Sequence, residues 1–162
     1  MSEHSFNSIN MQLQNHADDA ISLRCKRVGD LEVISSLLQD ALVSNIDLHF
    51  EKTENSFLFI ANRFCWEAVT KNLKEKSFYR VLSGINIQNV LSVKHQNFIQ
   101  HKEDQTALFY NLLTIRYDSG KNELTLLFSR NVSVKLIVLK LDIFIRDVAK
   151  PYPTTQIPEH FG

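Results

Sequence analysis

Apolar and polar residues alternate over Ala20–Lys26, with Ile21, Leu23 and Cys25 on one side and Ser22, Arg24 and Lys26 on the other. That two-residue period predicts a half-buried strand. Gly29 and Asp30 interrupt it, and Asp30 suits a helix N-cap because its carboxylate accepts free backbone N–H groups. Beyond it Leu31, Ile34, Leu37, Leu38, Ala41 and Leu42 recur at helical spacing, with Glu32, Ser35, Ser36, Gln39 and Asp40 on the opposite arc. The spacing predicts the clearest helix of the chain. Period two returns at Ile46, Leu48 and Phe50, the chain turns over Glu54–Ser56, and Phe57–Phe64 comes back antiparallel.

Tyr79–Ile87 and Val90–Phe98 read as two further strands about Gln88 and Asn89, the first weakened by Gly84. Leu108–Tyr117 and Glu123–Ser129 flank Asp118–Asn122, whose Asp, Gly and Asn residues suit a hairpin turn. Arg130 and Asn131 turn the chain again into the β-branched run Val132–Val138. Leu141, Phe144, Ile145 and Val148 then take helical spacing, and Lys150 and Pro151 end that segment. Polar stretches at 71–76 and 100–105 read as exposed connections, and the proline-bearing Tyr152–His160 as an extended tail. Residues 1–18 hold too few apolar groups to offset their ordering entropy and are expected to be a mobile tail, leaving 19–162 as one domain.

Strand, helix, a run of antiparallel strands and a closing C-terminal helix make an α+β layout. Seven or so strands exceed the mean sheet of about five to six. The expectation is therefore a curled antiparallel sheet, a split barrel plugged by the closing helix in the manner of pleckstrin-homology-like domains.

Composition narrows function mainly by exclusion. The 162 residues are enough for one domain with a sizeable core. Eighteen basic and eighteen acidic residues cancel, which removes the footprint expected for nucleic acid or an anionic membrane surface. The only cysteines, Cys25 and Cys65, have no CxxC spacing and read as reduced thiols of a cytoplasmic protein. Neither a secretory signal nor a membrane-spanning apolar run is legible.

The least ordinary stretch is Asn62–Glu67, Asn-Arg-Phe-Cys-Trp-Glu, which holds the only tryptophan. Together with Asp30–Ser35, Gln39–Ala41, Arg80 and Val81, Val90–Val93, and Pro158–His160, it resembles an uncharacterised conserved-domain family of bacterial proteins, chiefly alphaproteobacterial. The resemblance runs over about residues 20–160 and rests most on the hexapeptide. Cys65 stands where that family favours a basic residue, and Tyr79 where it favours an acidic one. The resemblance implies a small cytosolic bacterial protein and carries no activity.

Candidate ligand-rim residues are Asn62, Arg63, Trp66, Glu67, Asp40 and His160. Arg63 can grip a carboxylate or phosphate through its planar fork, with Asn62 and Glu67 beside it over Trp66. The structural alternative has Trp66 as a core anchor and Arg63 paired with Glu67. Asp40, near a helix C-terminus where an acid is disfavoured, is either a general base or a partner of Arg63 or Arg80. His160 can change charge near neutral pH if it folds back beside Trp66. No histidine or cysteine spacing builds a metal site, no glycine-rich loop cradles phosphate, and no nucleophile has an adjacent base. No cofactor and no catalytic residue is therefore expected. The leading expectation is a non-catalytic binding or regulatory module recognising a protein or small anionic ligand. The alternatives are a small enzyme using Asp40 and Glu67 with Arg63 as anion clamp, and a structural subunit of a homo-oligomer.

Overall fold

The computed structural model describes residues 20–68, 77–97 and 107–159. In chain order the elements are β1 (Ser22–Cys25), α1 (Val28–Leu37), β2 (Ala41–Ser44), β3 (His49–Glu51), β4 (Ser56–Phe64), β5 (Phe78–Ile87), β6 (Val90–Gln96), β7 (Phe109–Asp118), β8 (Glu123–Phe128), β9 (Ser133–Val138), β10 (Ile143–Asp147) and β11 (Tyr152–Thr154). Single 3-10 turns occupy Asn45–Asp47 and Trp66–Ala68. The expected tail, 1–18, and the connections at 71–76 and 100–105 fall outside the described residues. No described helix is long and apolar enough to cross a membrane.

Every strand pairing is antiparallel, along the path β1-β10-β5-β4-β2-β7-β8-β9-β6, with β3 added to β4 and β11 to β5. The strands β5 and β6 lie six steps apart on that path yet are joined by Gln88 and Asn89 alone. Six flat steps would separate them by ~29 Å at ~4.8 Å per strand. Three Cα steps reach only about 11 Å. The sheet must therefore roll, and the corner is held by Val90 N–H donating to the Asn55 carbonyl (2.8 Å) and Leu139 N–H to the Asn89 carbonyl (2.9 Å). The path remains open, with β1 and β6 at its two ends.

The inner face collects the core. Phe57, Phe59 and Ala61 from β4, Ile85 and Ile87 from β5, Leu124 and Leu126 from β8, Val134 and Leu136 from β9, and Ile143 and Ile145 from β10 are all buried in one cluster. Helix α1 adds Leu31 and Ile34 and packs on β7 and β1. Its Ser35 hydroxyl accepts from Ile115 N–H (3.1 Å) beside a bulge in β7, satisfying backbone that the register shift would strand.

Tight turns use asparagine rather than glycine. Asn55, Asn89, Asn122 and Asn131 all hold positive φ, where the short amide side chain tolerates the left-handed region. Arg130 and Asn131, both at φ 60°, form the consecutive left-handed pair that suits a two-residue hairpin turn.

Three expectations need correction. Helix α1 stops at Leu37 and its N-cap is Arg27, not Asp30, which lies in the first turn. Asp40 takes φ 60° and its N–H donates to the Leu112 carbonyl (2.8 Å), turning the chain into β2, a strand that the helical spacing of Ala41 and Leu42 had concealed. The closing helix is absent, since Ile143–Asp147 is strand β10 between β1 and β5. Its β-branched Ile143 and Ile145 alternate inward with Phe144 and Arg146 outward, and sheet pairing on both edges overrides an accidental helical spacing. The layout therefore has one α-helix, at its start, among the described residues.

Candidate functional site

Alternation along β4 sends Ala61 and Arg63 to the inner face and Asn62 and Phe64 to the outer one. On β5, Val81, Ser83 and Ile85 face inward, while Arg80 lies opposite Phe64 and faces outward. One strand pair thus carries two buried arginines on opposite faces.

Arg63 is fully buried, and its guanidinium is taken up by two carboxylates. Nη1 and Nη2 donate to Oε2 and Oε1 of Glu67, both at 2.9 Å. Nη2 also donates to Asp147 Oδ2 (2.8 Å), and Nε to Asp147 Oδ1 and the Ser83 hydroxyl, both at 3.1 Å. The Ser83 hydroxyl donates to Asp147 Oδ1 (2.6 Å), and Ile21 N–H to Asp147 Oδ2 (3.0 Å). The cluster thereby ties β4, β5, β10, the turn after β4 and the residue leading into β1 together. Paired forks of this kind are the strong hydrogen bonds of protein interiors.

Burial alone would lower the Arg63 pKa, but the bonds to Glu67 and Asp147 outweigh it and raise the value. Burial likewise pushes Asp147 upward, yet Arg63 and Ser83 hold its carboxyl below the usual range. Cys65 lies beside the cluster, where burial, reinforced by the Glu67 charge, pushes its thiol up to about 12. Burial also lifts Cys25, to about 11. Both thiols are free and buried, so neither offers a ready thiolate nucleophile.

Trp66 is half-buried in the 3-10 turn rather than set in the core; its Nε1–H donates to the Gln39 carbonyl (3.0 Å) and its ring meets Phe64 edge-on at 4.7 Å. That bond brings the α1–β2 turn, with Asp40, to the hexapeptide end of the sheet. Asp40 is buried there, but Arg63 and Arg80 take other acceptors. His160 lies outside the described residues.

The hexapeptide therefore splits. Arg63 and Glu67 hold each other, as the structural alternative expected, while Asn62 and Trp66 face away from them. Asp147 and Ser83 complete the cluster without having been singled out in the sequence. Their one local signal is position: each is a polar residue on the inward side of an alternating strand, Asp147 after Ile143 and Ile145, Ser83 between Val81 and Ile85.

On the outer face the Arg80 Nη1 donates to the Asn62 carbonyl (3.0 Å), and its guanidinium carbon lies 6.0 Å from the centre of the Phe64 ring. Asn62 Nδ2 donates to the Tyr152 hydroxyl (2.6 Å), and Tyr152 pairs with Arg80 in the β11–β5 register.

A family model described as a protein of unknown function (DUF2948) matches residues 21–160. The chain belongs to this family. The DUF2948 match takes in every described strand and both arginine sites, in keeping with the resemblance carried by the hexapeptide. No curated protein and no solved structure matches the chain.

Proposed function

We propose that the chain is a non-catalytic binding or regulatory module of the cytoplasm, recognising a small anionic ligand or a protein. One observation carries the reading: the two carboxylates beside Arg63, those of Glu67 and Asp147, are both engaged by it. General acid–base work requires a group free to exchange its proton with a substrate. A carboxylate held in a bidentate fork is poorly placed for that. Arg63, fully buried and occupied, is equally poorly placed to clamp an incoming anion. Two unpaired, buried thiols accord with a reducing compartment. The rolled antiparallel sheet is compatible with a split barrel, a frame whose recognition surfaces usually lie on its outer face and rim. The pleckstrin-homology comparison loses its plug, because β10 stands where that helix would be.

A screen of metabolite mixtures by amide chemical-shift mapping tests this. The expected result is binding without turnover, with shifts at Asn62, Arg80 and Tyr152 and little change at Arg63. Chemical conversion of a bound metabolite, lost in Glu67→Gln, would establish the enzyme instead.

A further inference from the structure

Arg80 is a buried cation with no anion beside it among the described residues. Only 8% of it is exposed, and an arginine keeps its charge at any physiological pH. Moving such a charge out of water costs several kcal/mol unless it is paired. Among the described residues only Nη1 of this guanidinium finds an acceptor, the neutral Asn62 carbonyl. Nε is buried without any hydrogen-bond partner. No described carboxylate forms a salt bridge with it. The Phe64 ring supplies a weak attraction at 6.0 Å. Nothing in the described protein neutralises the group.

The neighbouring Asn62 repeats the pattern with opposite polarity. Its Nδ2 has the Tyr152 hydroxyl, while its Oδ1 is buried without a partner. A buried donor and a buried acceptor, both unmet, thus sit on adjacent residues of one sheet face. Native interiors rarely leave such groups orphaned, and each has a cost of about 1–3 kcal/mol. A single cation matches a monoanion. Phosphate would keep part of its charge uncompensated beside the half-buried ring of Phe78, which packs at 5.9 Å on the buried Phe64 ring.

We propose that Arg80, Asn62 and Tyr152 form a carboxylate-binding site, and that its ligand class is a small carboxylic acid bearing a hydroxyl next to the carboxylate and an apolar body. Arg80 takes the carboxylate, Asn62 Oδ1 accepts from the ligand hydroxyl, and Tyr152, a residue 42% exposed, stands beside Asn62 on the solvent side. The inference rests on the binding-module reading and gives it a ligand class. Arg63 has no part in it.

Phenyllactate, hydrocinnamate and inorganic phosphate are suitable probes at constant ionic strength, read at the Arg80 Nε–H resonance, which is assigned by its loss in Arg80→Lys. Phenyllactate should shift that resonance saturably, with hydrocinnamate, which lacks the hydroxyl, weaker by about tenfold, the worth of one good hydrogen bond. Phosphate should be weaker still. Asn62→Ala should bring the two acids to equal affinity, and Arg80→Lys, a folded protein by its amide spectrum, should lose both. If Arg80→Lys does not fold, Tyr152→Phe takes its place and should weaken both acids several-fold. An Arg80 resonance unmoved by any acid, or moved equally by phosphate, would overturn the proposal. Metabolites that bind elsewhere on the chain while Arg80 stays silent would sink this site and leave the binding reading standing.

Discussion

Arg63 and Arg80 lie on neighbouring strands of one pairing, β4 and β5, and both are buried, yet their surroundings are opposite. Arg63 faces the core and meets two carboxylates, a serine hydroxyl and no solvent. Arg80 faces outward and meets one carbonyl and one aromatic ring. The lesson is that burial of a charge does not reveal its purpose; the completeness of its partners does. A guanidinium with its acceptors supplied by β5, β10 and the turn after β4 fastens a fold, whereas one left short of acceptors among the described residues can take an anion from outside.

That contrast has measurable consequences, the largest at Arg63. Replacing Arg63 with Met removes the cation shared by Glu67 and Asp147 and leaves both carboxylates uncompensated. A loss of about 3 to 5 kcal/mol in urea unfolding is expected, the usual cost of breaking a buried pair from one side.

Asp147→Asn keeps the shape but discards one charge, and should cost about 1.5 to 3 kcal/mol, in the range for hydrogen bonds to charged groups. The pH profile supplies a second check. Because folding depresses the Asp147 pKa from its ordinary 3.8, its stabilisation is present above that value and is lost as pH falls through the folded value. Unfolding midpoints of the native chain should therefore drop steeply below about pH 4. Asp147→Asn should show a shallower fall, with the remainder coming from Asp142, which Arg24 holds low in the same way.

Trp66→Ala sits between the two arginines in size. A tryptophan of the core would cost about 3 to 5 kcal/mol. This one is half-buried, donates to the Gln39 carbonyl and meets Phe64 edge-on, so about 2 kcal/mol is expected from thermal or urea unfolding. A value inside the core range would mean that the turn after β4 is anchored more deeply than its exposure implies.

Most strands could be read from alternation because a sheet with one buried face imposes a two-residue period on each of them, and β4, β5, β7, β8 and β9 all show it. The errors fell where short apolar runs fit both periods. Ala41 and Leu42 continue the spacing of α1, and Leu141, Phe144, Ile145 and Val148 mimic a helix, so only the pairing partners of β2 and β10 decide between strand and helix. The Arg63–Glu67 pair was legible because its members lie four residues apart. Asp147, 84 positions from Arg63, was not, because its inward placement depends on β10 being a strand. In the sequence Arg80 stood as part of the family resemblance and as a partner for Asp40; that no described carboxylate pairs with it becomes visible only in three dimensions.

The most direct measurement sets Arg63→Met and Arg80→Met side by side in urea unfolding without added ligand. Arg63→Met should lose at least about 3 kcal/mol. Arg80→Met should stay within about 1 kcal/mol of the native chain, or gain stability, because it replaces an unpaired buried charge with an apolar side chain of similar length. Equal, large losses at both positions would contradict the account, since Arg80 would then be as structural as Arg63.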